Sequence, residues 1–159
     1  MRKPSKTSLS RIIDIVRFGS RSSHRLWLVI SDLLTGSFTW QYLDLTTIPV
    51  LRRLTFRTTF NHLAYLGYSY SLFSTIVSPV FCELVLEIHG SPSRFEPWCP
   101  ASSAAWGQSN YLLEGFASNG DFRLIIRASE VSDREELGRE AERAFPLLAS
   151  RGCIYLEML

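Results

Sequence analysis

Cys82, His89 and Cys99 are the side chains whose types come nearest to a reactive or metal-binding set in this 159-residue chain. A thiol beside an imidazole makes a nucleophile with its base, and two thiols with an imidazole can hold zinc. Their separations are 89 − 82 = 7 and 99 − 89 = 10 positions, which is not the close pairing by which a zinc site clasps its metal. Core cysteines and a histidine at a strand end account for the same residues. The acids Glu130, Asp133, Glu135, Glu136, Glu140 and Glu142 interleave with Arg134, Arg139 and Arg143. On a helix these make a solvated face: Glu135 and Arg139 are a supporting i,i+4 pair, whereas Arg139 and Arg143 are like charges. No glycine-rich phosphate loop and no G-x-S-x-G nucleophile elbow occurs. The residues therefore indicate no catalytic, cofactor-binding or metal-ligating centre, and the chain reads as a non-enzyme.

Composition sets the frame in which any site must be held. Hydrophobic residues make up 46% and charged residues 20%, which is ordinary for one globular domain with a real core. The net charge of +2 is unevenly spread. Residues 1–30 carry Arg2, Lys3, Lys6, Arg11, Arg17, Arg21 and Arg25 against Asp14, hence 7 − 1 = +6, leaving 2 − 6 = −4 for the remainder. Residues 1–25 read as a basic, largely disordered arm before a domain at 26–159. Such an arm suits nucleic acid, a membrane surface or an acidic partner. Arg17, Arg21 and Arg25 recur every four residues, but with only Phe18 and Trp27 beside them the aromatic interleaving of a nucleic-acid surface is thin. Cys82, Cys99 and Cys153 are an odd number without framework spacing and read as reduced, buried hydrophobes in a cytoplasmic or nuclear protein. No apolar region follows the basic start as a secretory signal requires. The Arg- and Ser-rich composition there also suits an organelle transit peptide.

The elements follow from pattern. Ser10 suits the cap of a short helix over 11–18, ended by Gly19-Ser20. Leu26–Leu34 is an apolar run whose period leaves strand and helix open, and Phe38–Leu45 alternates as a strand. Ile48-Pro49-Val50-Leu51-Arg52-Arg53-Leu54-Thr55-Phe56 matches Ser78-Pro79-Val80-Phe81-Cys82-Glu83-Leu84-Val85-Leu86 at an offset of 79 − 49 = 30 residues. A repeat at fixed offset implies stacked units. Proline restricts its own φ and the residue before it, giving a firm entry to each strand. Tyr65–Ile76 between them is long enough for a helix that crosses back, making a parallel strand-helix-strand unit.

Trp106–Ala117 reads as a helix with Trp106, Leu113 and Phe116 on one face, although Gly107, Gly115 and Gln108-Ser109-Asn110 break its regularity. Asn119-Gly120 stops it, and Asp121–Arg127 is a strand with Phe122, Leu124 and Ile126 on one face. Ser132-Asp133-Arg134-Glu135 opens a helix with Leu137, Ala141, Ala144 and Leu148 at helical spacing, and Pro146 should kink or end it near Phe145. Cys153–Met158 is a final strand. Strand markers Leu54, Leu84, Phe122 and Ile154 give steps of 30, 38 and 32 residues. The breaker-rich loop Ser91–Ala105 carries Phe95 and Trp98, which either pin it to the body or form a platform for a partner.

The stretch Leu63–Cys82 has no charged residue and is 20 residues long, enough to span a bilayer, with Arg52, Arg53 and Arg57 before it and Glu83 and Glu87 after it. Its serines, tyrosines, Gly67 and Pro79, and its overlap with the repeated unit, favour a buried helix and strand.

At FCELVLEIHG, GDFRLIIR and FPLLASRGCIYLE the sequence resembles the C-terminal region of F-box-type, leucine-rich-repeat-like proteins of mushroom-forming fungi, over roughly residues 38–157. The resemblance implies an α/β, leucine-rich-repeat-like solenoid fragment with parallel strands and crossover helices. It also implies the substrate-receptor role of such a region, a protein-binding module using the strand edge and the 91–105 loop. The N-terminal residues show no F-box, so a Skp1-type adaptor is not an expected partner. Two alternatives stand beside it: a small membrane protein anchored by residues 63–82, and a truncated relic without a stable fold.

Overall fold

The structure, a computed structural model, describes residues 25–29, 44–46, 48–59, 70–90, 104–129 and 134–159. Five strands, β1 (Arg25–Val29), β2 (Arg53–Thr59), β3 (Glu83–His89), β4 (Arg123–Ala128) and β5 (Ile154–Met158), form one sheet in sequence order. Every neighbouring pair is parallel. Four helices are described, α1 (Tyr70–Phe73), α2 (Ala104–Ser118), α3 (Arg134–Ala144) and α4 (Pro146–Ser150). This is an α/β fold, as the strand–crossover pattern requires.

Alternate strand residues Leu54, Phe56, Leu84, Leu86, Ile88, Leu124, Ile126 and Ala128 join a single core with Leu72 and Phe73 of α1, Trp106 and Leu113 of α2, Leu137 and Ala141 of α3, and Leu148 of α4. The strands are neighbours in sequence order, and the described helices all pack on this one sheet face.

Register corrects one marker. Leu54 pairs with Leu84, Leu84 with Leu124 and Leu124 with Ile154, so the steps are 30, 40 and 30, and the marker in β4 is Leu124, not Phe122. Phe122 lies just before β4 and packs its ring against Phe81 and Phe116 at centroid distances of 5.9 and 6.1 Å. Its parity matches Leu124, which is why pattern alone misplaced it by two residues.

The proline motif is not itself a strand entry. The Leu51 amide donates to the Ile48 carbonyl (3.3 Å) and the Phe81 amide to the Ser78 carbonyl (3.2 Å). Each motif is a β-turn with proline at its second position, where a fixed φ fits. The next residue but one, Leu51 or Phe81, drops into the core.

The crossover helix expected over Tyr65–Ile76 is described only as the single turn α1; Ser74 and Thr75 already form a turn. Their hydroxyls donate back to the Ser71 and Leu72 carbonyls, both at 2.7 Å, a local bonding that competes with helix continuation. Of the strand expected over Phe38–Leu45, the described end, Asp44 and Leu45, is not extended into the sheet; the Leu45 amide donates to Thr75 Oγ1 at 3.0 Å. Ala104 and Ala105 belong to α2 and not to the preceding loop. The helix at 11–18 and residues 1–24 of the basic arm lie outside the described residues, while Arg25, expected to end the arm, is the first residue of β1.

The polar triplet of α2 has a packing role. Ser109 and Asn110 are buried. Asn110 Nδ2 donates to the Trp106 carbonyl (3.1 Å) and across to the Ala144 carbonyl (2.8 Å). It thereby satisfies a carbonyl at the end of α3, where Phe145 breaks the helix and Pro146 restarts it as the first residue of α4. The Trp106 and Phe145 rings pack at a tilt, centroids 5.3 Å apart, over this junction. Among the described residues no helix is long and apolar enough to cross a membrane. Residues 70–82 within the uncharged stretch are α1, turns and the approach to β3.

Candidate functional site

On the sheet face away from the helices, the register aligns three rows across the strands. One is Arg53, Glu83 and Arg123; the middle one is Thr55, Val85, Ile125 and Tyr155; the third is Arg57, Glu87, Arg127 and Glu157. Charge alternates along the first row from β2 to β4 and along the third from β2 to β5, whereas on β1 the first row continues with Arg25, of the same charge as Arg53. Glu83 bonds Arg53 and Arg123 on its two flanking strands. Glu87, 4% exposed, faces Arg57 Nε at 3.1 Å and Arg127 Nη1 at 3.5 Å. Arg127 Nε in turn donates to Glu157 Oε2 at 2.7 Å. That hydrogen bond is the main reason the Arg127 pKa rises above its ordinary value, against the opposing effect of burial. These charges are spent on one another. They fix the register, because a slip of one residue would put every pair on the wrong face.

A groove of about 960 Å³ runs along the starts of β2 to β5. Val50, Arg52, Val80, Asp121, Arg151 and Tyr155 help to line it. Val50 and Val80 occupy the same position of the two repeated turns and are 47% and 46% exposed; Tyr155 is 47% exposed. Polar residues usually fill such turn positions, so a repeated outward valine is not explained by the fold. Arg52 is exposed and has no carboxylate partner among the described residues. Arg151 pairs with Glu114 at 2.6 Å.

The sequence-derived site residues fare as follows. Phe95, Trp98 and Cys99 lie outside the described residues. Cys82 and Cys153 immediately precede β3 and β5, half-buried at the groove and not inside strands; each thiol lies 3.7 Å from a backbone carbonyl, of Arg52 or Arg151. Cys82 and His89 sit at opposite ends of β3, about 23 Å apart at strand rise, so no thiol–imidazole pair forms. His89 Nε2 is buried without a hydrogen-bond partner. Among the described residues no three His, Cys, Asp or Glu side chains converge as metal ligands. Glu135 and Arg139 meet at 3.9 Å, as the helical spacing requires.

Sequence reasoning missed both surfaces. The charge rows were legible as Arg53/Arg57, Glu83/Glu87 and Arg123/Arg127, pairs four apart whose sign alternates from unit to unit. By sequence alone, Arg53, Arg57, Glu83 and Glu87 read as flanks of an apolar span. No protein-family model, curated protein or solved structure matches the chain.

Proposed function

We propose that this domain is a protein-binding module without catalytic activity, a leucine-rich-repeat-like solenoid fragment that resembles the substrate-receptor part of an F-box-type protein. Strands in sequence order with helices on one face are what stacked repeats produce, and such stacks present extended surfaces to partners. The observation that carries the reading is the pair Val50 and Val80, exposed apolar side chains at equivalent turns along one groove. The working compartment on this reading is cytoplasmic or nuclear.

The test compares wild-type chain with the Val50→Asp/Val80→Asp variant as baits in one extract. Both sites are exposed, so the variant should melt within about 1 kcal/mol of wild type. A protein retained by wild type and lost by the variant is the expected outcome. Identical captures by the two baits would refute the groove as the binding surface, and Skp1-type and cullin subunits among the captures would establish an F-box role for the N-terminal region.

A further inference from the structure

Among the described residues, the outer edge of β5 carries backbone groups that no other strand takes up. The Leu124 amide donates to the Cys153 carbonyl (2.8 Å) and the Leu159 amide to the Ala128 carbonyl (3.1 Å). In a parallel ladder alternate residues bond to the same neighbour, so residues 153, 155, 157 and 159 turn their backbone towards β4. Ile154, Leu156 and Met158 turn theirs outward. Of these outward groups, the Leu156 carbonyl is met by Arg134 Nη2 of α3 at 3.1 Å. A charged side chain at that place is one way in which proteins guard a strand edge.

Side chains at this edge are also incomplete. Among the described residues, the row Arg57, Glu87, Arg127, Glu157 alternates in sign across four strands, and Glu157, 46% exposed, has its cation, Arg127, on the β4 side. Beside it Ile154 and Leu156 are only half-covered on the helix side, where Leu156 lies against Gly138 of α3.

We propose that the β5 edge is a strand-docking site for an extended segment of a partner protein that carries a basic residue opposite Glu157, and that Arg134 gates it. The docked strand supplies the donors and acceptors that Ile154, Leu156 and Met158 lack. It displaces Arg134 from the Leu156 carbonyl, and its cation continues the alternation of the row. The proposal rests on the protein-binding reading but uses a different surface from the groove, and its test has its own readout.

That test uses the full chain with two probes: a short acetylated peptide alternating valine and threonine about a central arginine, and the same peptide with glutamate at its centre. Amide hydrogen exchange is read residue by residue. The arginine peptide should slow exchange at Ile154, Leu156 and Met158 and leave Tyr155 and Glu157, already bonded to β4, unchanged. It should bind roughly five- to tenfold more tightly than the glutamate peptide, since an opposite charge is exchanged for a like one. Glu157→Arg should invert that preference, and Arg134→Ala should tighten binding of the arginine peptide. No added protection at the three outward amides with either peptide overturns the docking site. Equal binding of both peptides overturns the charge rule, and weaker binding by Arg134→Ala overturns the gate. Failure of the Val50→Asp/Val80→Asp comparison would touch none of these outcomes.

Discussion

The two faces of the sheet bury side chains by different means. On the helix face, Leu84, Leu86 and Ile88 of β3 are held by apolar packing, a force without direction that tolerates no charge. On the opposite face, Glu83 and Glu87 of the same strand are nearly as buried, yet each is held by two arginines from flanking strands. Parallel sheets are usually covered on both faces. Here the outer rows of long charged side chains flank Val85 and Ile125, both buried. One face is held by apolar burial, and the other by charge pairs that fit a single register.

That contrast sets the sizes of the effects that would break it. Leu86→Asp places an uncompensated charge in the core and should cost more than about 4 kcal/mol, abolishing cooperative unfolding; a soluble variant with a cooperative melt would refute the core assignment. Glu87→Ala on the opposite face leaves Arg57 and Arg127 without their shared acceptor and should cost about 1–3 kcal/mol while the transition stays cooperative. Denaturant melts of Arg57→Ala, Glu87→Ala and the double variant should give a coupling of about 0.5–1 kcal/mol, and a coupling of zero would remove the row from the account of register.

The helix layer has one directional contact of its own. Asn110→Ala should cost about 1–2 kcal/mol, because the Ala144 carbonyl loses its donor; a neutral result in a thermal melt would show that another group replaces it. The smallest effect lies at the turn before β2. Asp44 accepts from the Thr46 hydroxyl (2.6 Å) and amide (2.9 Å), chiefly the former, which holds its carboxyl below the ordinary 3.8. A lowered folded pKa means that this contribution is present above the unfolded value and lost as pH falls through the folded one. Asp44→Ala should therefore flatten slightly the acid end of a stability–pH curve, and an unchanged curve would count against the turn.

Legibility divided along the same line. Period and punctuation located β2, β3, α2, α3 and β5, since each has an apolar stripe or a stop such as Gly120, whose φ of +126° suits glycine. They failed where a local bond or a distant partner decides. The Ser74 and Thr75 hydroxyls ended α1, and Asn110 found its acceptor 34 residues away. The turn valines were visible as part of the thirty-residue repeat, but nothing in it said that they face outward.

The sequence by itself determined the α/β class, the thirty-residue spacing of the β2 and β3 units and the helix break at Pro146, because these depend on residue types within one or two turns of chain. Only the tertiary structure decided that Leu124 is the true partner of Leu84, that arginines and glutamates from neighbouring strands pair on the face away from the described helices, and that Val50 and Val80 line one groove. Those depend on which strand lies beside which, and pairing across 30 or 40 residues is set by packing energy summed over the whole sheet.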